Sequence, residues 1–122
     1  MAAVIFDVFA DEGRAFNINF VWYDSQDNPV DLTGFGAIAE VRTLRTNELV
    51  SRITHESGIV LHTTEEEQGR IDISFPRTDL LNPASYECEW EVIVHPDALQ
   101  PTQSPDSLVR GLFRIRKKIA HI

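Results

Sequence analysis

The stretch "NFVWYDSQDNPVDLTGFGAIAEVR", residues 19–42, alternates apolar and polar residues, breaks at a polar turn, and then alternates again. A side-chain period of two marks a half-buried β-strand, so the stretch predicts two strands joined as a hairpin. The first strand begins upstream, with Phe16, Ile18, Phe20 and Trp22 on one face and Asn17 and Asn19 on the other. On the second, Phe35, Ala37, Ala39 and Val41 share a face, and Ile38, Glu40 and Arg42 take the opposite one. Asp24, Ser25, Asn28 and Pro29 favour the intervening turn through side-chain caps and a fixed φ.

Outward from this unit the same signal recurs at short spacing, the pattern of a sandwich or barrel rather than of a helical or alternating architecture. "AVIFDVF" (residues 3–9) precedes it as a single strand, and "DEG" supplies the next turn. "ELVSRIT" and "GIVLHTT" follow as short strands separated by "HESG", and "RIDISF" sets Ile71, Ile73 and Phe75 against Asp72 and Ser74. "PRTDLLNPAS" predicts one short helical turn, capped by Thr78 or Asp79 and bounded by Pro76 and Pro83. In "SYECEWEVIV" the residues Tyr86, Cys88, Trp90, Val92 and Val94 point inward and Glu87, Glu89 and Glu91 outward. The proline-rich "HPDALQPTQSPDS" predicts a long loop, because proline cannot serve a sheet interior. In the last strand, "LVRGLFRIRKK", Val109, Phe113 and Ile115 face in, while Arg110, Arg114 and Arg116 face out to answer Glu91, Glu89 and Glu87.

The expected fold is all-β: an Ig-like antiparallel β-sandwich of seven or eight strands with one short helical turn, in a single domain spanning residues 1–122. Its core is expected to hold Phe16, Ile18, Phe20, Trp22, Val41, Ile73, Trp90, Val92 and Phe113. An up-and-down barrel is the alternative. A chain of 122 residues suits one domain, and 43% hydrophobic with 25% charged residues argues against a disordered or fibrous chain. Apolar runs fall far short of the roughly 20 residues a spanning helix needs, and the start lacks the basic and long apolar regions of a secretory signal.

The net charge of −8 is unevenly spread: five of eleven basic residues lie beyond residue 109 and all nineteen acidic residues before it, leaving residues 1–109 at −13. An acidic body repels nucleic-acid backbones and anionic lipid, so neither nucleic acid nor membrane is an expected partner. The basic end is the candidate interaction site, with Arg116, Lys117 and Lys118 supplying charge and Ile119 and Ile122 an apolar anchor.

Catalytic and metal signatures are weak. Cys88 stands between Glu87 and Glu89, whose charges disfavour a thiolate, so it reads as a core residue. His55, His62, His95 and His121 have no metal-ligand spacing, and "TTEEEQGR" lacks the alternating acids and central glycine of a calcium loop. The Glu87, Glu89, Glu91 row reads as a salt-bridged strand face rather than an acid–base pair. No phosphate-binding glycine loop or nucleophile elbow is present. The expectation is a protein that is not an enzyme and takes no cofactor, metal or small-molecule substrate.

Asp24, Asn28, Pro29, Asp31, Leu32, Thr33, Gly34, Phe35, Val41 and Arg42, together with the later "GIVLH", "GRIDISFPRTDLLNPASYECEWEVIV" and "LVRGLFRIRKK", carry a family resemblance. The chain resembles the small β-sandwich virion proteins of tailed bacteriophages, over nearly its whole length. The proline-rich insertion and the basic end depart from that pattern. The resemblance implies a structural role at the tail tip, baseplate or fibre attachment, in a virion assembled in the host cytoplasm. The implied partners are other virion proteins and copies of the chain itself in a symmetric assembly. Alternatives are a capsid decoration protein and a carbohydrate-binding module using Tyr23, Phe35 or Trp22; a hydrolase acting on the host envelope is weaker.

Overall fold

The computed structural model describes residues 4–96 and 106–117. Among these, nine strands and two single-turn 3-10 helices build two sheets packed face to face. The strands are β1 (Val4–Ile5), β2 (Val8–Asp11), β3 (Phe16–Val21), β4 (Phe35–Thr43), β5 (Leu49–Thr54), β6 (Ile59–Leu61), β7 (Arg70–Phe75), β8 (Glu87–Pro96) and β9 (Asp106–Arg116). The larger sheet runs β1–β9–β8–β4–β5, with β2 also on β9, and the smaller runs β3–β7–β6. This interleaving of sequence between two sheets is the Ig-like sandwich order.

The stretch at residues 19–42 is not a hairpin. β3 pairs with β7 in the small sheet, while β4 pairs with β5 and β8 in the large one, so the two strands face each other across the core. The connection is too long for a tight hairpin and folds a turn of its own. Asp24 Oδ1 accepts the Gln26 and Asn28 amides (2.8 and 3.0 Å), the Val30 amide donates to Trp22 O (2.9 Å), and Leu32 is buried as an anchor. Gly69, at φ 82°, lets the chain pass: a Cβ there would sit 2.8 Å from Trp22 O. β5 and β6 likewise separate into opposite sheets instead of pairing, with Ile53 and Ile59 both reaching the core.

The N-terminal strand is broken into β1 and β2, and both run parallel to β9, an exception to the antiparallel pattern. Gly111 permits the break, since the Phe6 carbonyl and Asp7 carboxylate lie over it where a Cβ would collide. Trp90 Nε1 donates to Phe6 O (2.9 Å), and Asp7 Oδ1 accepts the Leu112 amide (2.9 Å). A register shift after Val92 turns the adjacent Leu108 and Val109 both inward, as a β-bulge does.

Val41, Ile73, Trp90, Val92 and Phe113 are buried as expected, whereas Phe16, Ile18, Phe20 and Trp22 are only partly buried because β3 is a sheet edge. Phe16, Phe75, Trp90 and Phe113 form one aromatic cluster, with centroid separations from 5.2 to 6.5 Å. In antibody domains a cysteine two residues after a tyrosine, near the start of the corresponding strand, carries the sheet-to-sheet disulfide. Here Tyr86 and Cys88 keep that spacing, but Cys88 is a free thiol, and aromatic packing occupies the centre. The helical turn at Arg77–Leu80 forms without a side-chain cap; Asp79 instead accepts a hydrogen bond from buried Ser51 (2.7 Å). A second turn forms at Glu65–Glu67.

Candidate interaction surfaces

The basic end of the chain is partly consumed within the fold. Register sets Glu87 opposite Arg114, Glu89 opposite Leu112 and Glu91 opposite Arg110. The expected ladder is therefore offset: Arg114 meets Glu87 (3.3 Å), and Arg116 turns to Asp11 on β2 (2.9 Å), the neighbour on its other side. Glu91 accepts a hydrogen bond from Ser107 (2.8 Å), and Glu89 and Arg110 form no ion pair among the described residues. Lys117 is exposed just past β9, while Lys118, Ile119 and Ile122 lie outside the described residues.

The outward-facing residues of β4, β8 and β9 line a broad groove of about 620 Å³ on the large sheet. Ile38, Ile93 and Leu112 form its apolar floor, and Glu40, Glu89 and Arg110 charge it with both signs. Glu40 is held between Arg42 (3.0 Å) and Arg52 (2.9 Å). This mixture suits contact with another polypeptide, apolar in the centre and polar at the rim.

A second opening, about 350 Å³ and strongly apolar, lies between the β1 edge of one sheet and the β3 edge of the other. Val4, Phe6, Phe20 and Trp22 flank it, and Trp90 and Val109 form its base. Val4, Phe6, Val21 and Tyr23 around it are exposed, and Trp22 Nε1 is buried with no hydrogen-bond partner among the described residues.

Groups with chemical potential are tied into the fold. Burial, reinforced by the Glu87 charge, pushes the Cys88 thiol up to about 11, and the thiol donates to Ser85 O (3.4 Å). His62 lies between Glu67 (2.6 Å) and Asp72 (2.8 Å). Burial works against ionisation of Asp72, but hydrogen bonds from His62 and Arg70 outweigh it and hold the carboxyl below its ordinary range. His55 and His95, forty residues apart in sequence, come within 6.1 Å of each other over Gly36, a proximity that spacing along the chain does not signal. Among the described residues no group of three or more His, Cys, Asp or Glu is arranged to hold a metal ion, and no helix is long and apolar enough to cross a membrane.

Sheet order and surfaces together define an Ig-like β-sandwich with two candidate contact faces. No family model and no curated protein sequence matches the chain. Among solved structures, the extracellular domain of the voltage-gated sodium channel β4 subunit, described as forming parallel homodimers that explain its role in cell–cell adhesion, is similar over 98% of each chain at 12% identity and a TM-score of 0.41. Likeness at that level assigns no function, partner or location to this chain.

Proposed function

We propose that this protein is a non-enzymatic structural component of a tailed-phage virion, acting at the tail, baseplate or fibre-attachment region by protein–protein contact. The observation that carries the reading is the resemblance centred on residues 24–42. Its residues have identifiable work in the fold: Asp24 and Asp31 cap successive turns, Leu32 anchors the crossing, and Phe35 packs edge-on against Trp22 at 6.0 Å. A sandwich that devotes such a motif to architecture, and whose faces mix apolar floor with charged rim, suits repeated placement in a symmetric assembly. Partners are copies of the chain and other virion proteins.

Mass spectrometry of purified particles tests this directly. The chain is expected among the virion proteins, and its absence from particles overturns the reading. Immunogold electron microscopy then separates tail or baseplate from capsid decoration. Carbohydrate binding is disfavoured because Trp22 and Trp90 point into the sandwich, leaving Tyr23 as the exposed ring of the set. Saturable binding on a glycan array, abolished by Tyr23→Ala, would reverse that preference.

A further inference from the structure

We propose that the edge of β3, unpaired among the described residues, is a self-association surface, on which two copies of this chain pair their β3 strands antiparallel about a two-fold axis at Asn19. The inference stands on β3 itself and does not rest on the virion reading.

Exposed sheet edges invite pairing, and proteins ordinarily blunt them with charge, proline, bulges or brevity. Of the sheet edges formed by the described residues, three are blunted. β5 carries Arg52 and a register shift against β4, β6 spans three residues, and the β1–β2 edge is interrupted after Ile5. β3, "FNINFV", has six residues and none of these devices. The apolar opening flanked by Val4, Phe6, Phe20 and Trp22 lies alongside it, so a second copy would cover both the unpaired backbone and the exposed Val21 and Tyr23.

Backbone direction narrows the geometry. The Trp22 amide donates to Gly69 O (2.9 Å), in step with the register that sets Phe20 opposite Ile71 and Ile18 opposite Ile73. In an antiparallel ladder, residues that turn both N–H and C=O toward the partner alternate with residues that turn both away. Even-numbered β3 residues therefore bond β7, and Asn17, Asn19 and Val21 offer donor and acceptor to the open side. The other side of β7 obeys the same alternation, with the Ser74 amide donating to Gly58 O (2.8 Å).

Charge then selects the register. With Asn19 opposite its own copy, Asn17 meets Val21 of the second copy, and Arg14, two residues before β3, comes to the same end as Asp24 of the second copy, three residues past β3, on both sides of the axis. Arg14 is exposed and forms no ion pair among the described residues. Asp24 is exposed and commits Oδ1 to its turn, leaving Oδ2 for a partner. A shift of two residues either way sets Arg14 against Trp22 or Gln26 and loses both charge pairs. The net charge of −8 opposes indiscriminate association, and β3 offers an uncharged strand bracketed by complementary ends.

Sedimentation equilibrium of the full chain across a wide concentration range tests the pairing. The native chain is expected to dimerise. Asn19→Lys and Asn19→Asp, which each place like charges face to face at the axis, are both expected to weaken the dimer by roughly tenfold. An equimolar mixture of the two variants sets Lys opposite Asp and is expected to recover association. Hydrogen exchange on the native chain gives a readout free of any folding defect: the amides of Asn17, Asn19 and Val21 are expected to gain protection as concentration rises. A native chain that stays monomeric, variants that dimerise as the native chain does, a mixture no tighter than either variant, or edge amides whose exchange ignores concentration would each overturn the proposal.

Discussion

At the scale of single residues, the polar or reactive groups of greatest interest serve the packing. Cys88 is buried and its thiol lies far above neutral pH, so it stays protonated at pH 8 and hidden from reagents. Its alkylation is therefore expected to be slow in the native protein and to accelerate with denaturant in step with unfolding, as timed thiol labelling would report. Gly111 is needed because the Phe6 carbonyl and Asp7 carboxylate occupy the place of a side chain. Gly111→Ala is expected to cost about 1–3 kcal/mol, read from urea melts, with loss of the Trp90 to Phe6 hydrogen bond. The inward placement of Trp90 was legible from alternation alone. The hydrogen bond of its indole was not, because Phe6 and Trp90 are brought together by a parallel pairing that no local pattern encodes.

Among elements, alternation located the strands well and their partners poorly. Residues 16–21 and 35–43 read correctly as strands, yet a period of two states which face is buried and leaves open which sheet supplies the other wall. What separates β3 from β4 is the capped, anchored crossing between them, and Leu32 is its buried anchor. Leu32→Ala is expected to cost about 2–5 kcal/mol while preserving the strand signature in far-UV circular dichroism. The offset of the expected Glu–Arg ladder has a similar cause, since Arg116 has a carboxylate on β2 that a two-strand view omits. On the small sheet, Asp72 links Arg70 (2.9 Å) and His62 (2.8 Å). Its carboxyl is held below the ordinary range, so its contribution is fully present above the unfolded-state pKa of about 3.9 and is lost as pH falls through the lower native value. Melting temperatures of the native chain and Asp72→Asn are expected to differ at pH 7 and to converge as pH falls through the lowered native value.

For the whole molecule, charge is divided along the chain more sharply than it is divided over the folded surface. Residues 1–109 stand at −13, but Arg114 and Arg116 are already engaged by Glu87 and Asp11. Apart from Arg110 on the groove face, the C-terminal cationic sequence without an ion pair among the described residues begins at Lys117, and it continues in sequence through Lys118, Ile119 and Ile122. An acidic body and a short basic, apolar terminal sequence favour head-to-tail contact, in which one subunit's end meets the next subunit's acidic surface. Such contact differs in symmetry from a two-fold pairing through β3: the first extends into rings, and the second stops at a dimer. The two are separable by experiment. Deleting residues 117–122 removes no described strand and is expected to leave the fold and the β3 dimer intact, while abolishing species larger than a dimer. Salt well above physiological strength is expected to dissolve those larger species first, because exposed charge pairs are screened over about 8 Å at physiological strength and over less as salt rises. Sedimentation velocity of the intact and truncated chains at low and high salt would decide the matter: identical profiles under all four conditions would remove the terminal sequence from the interface.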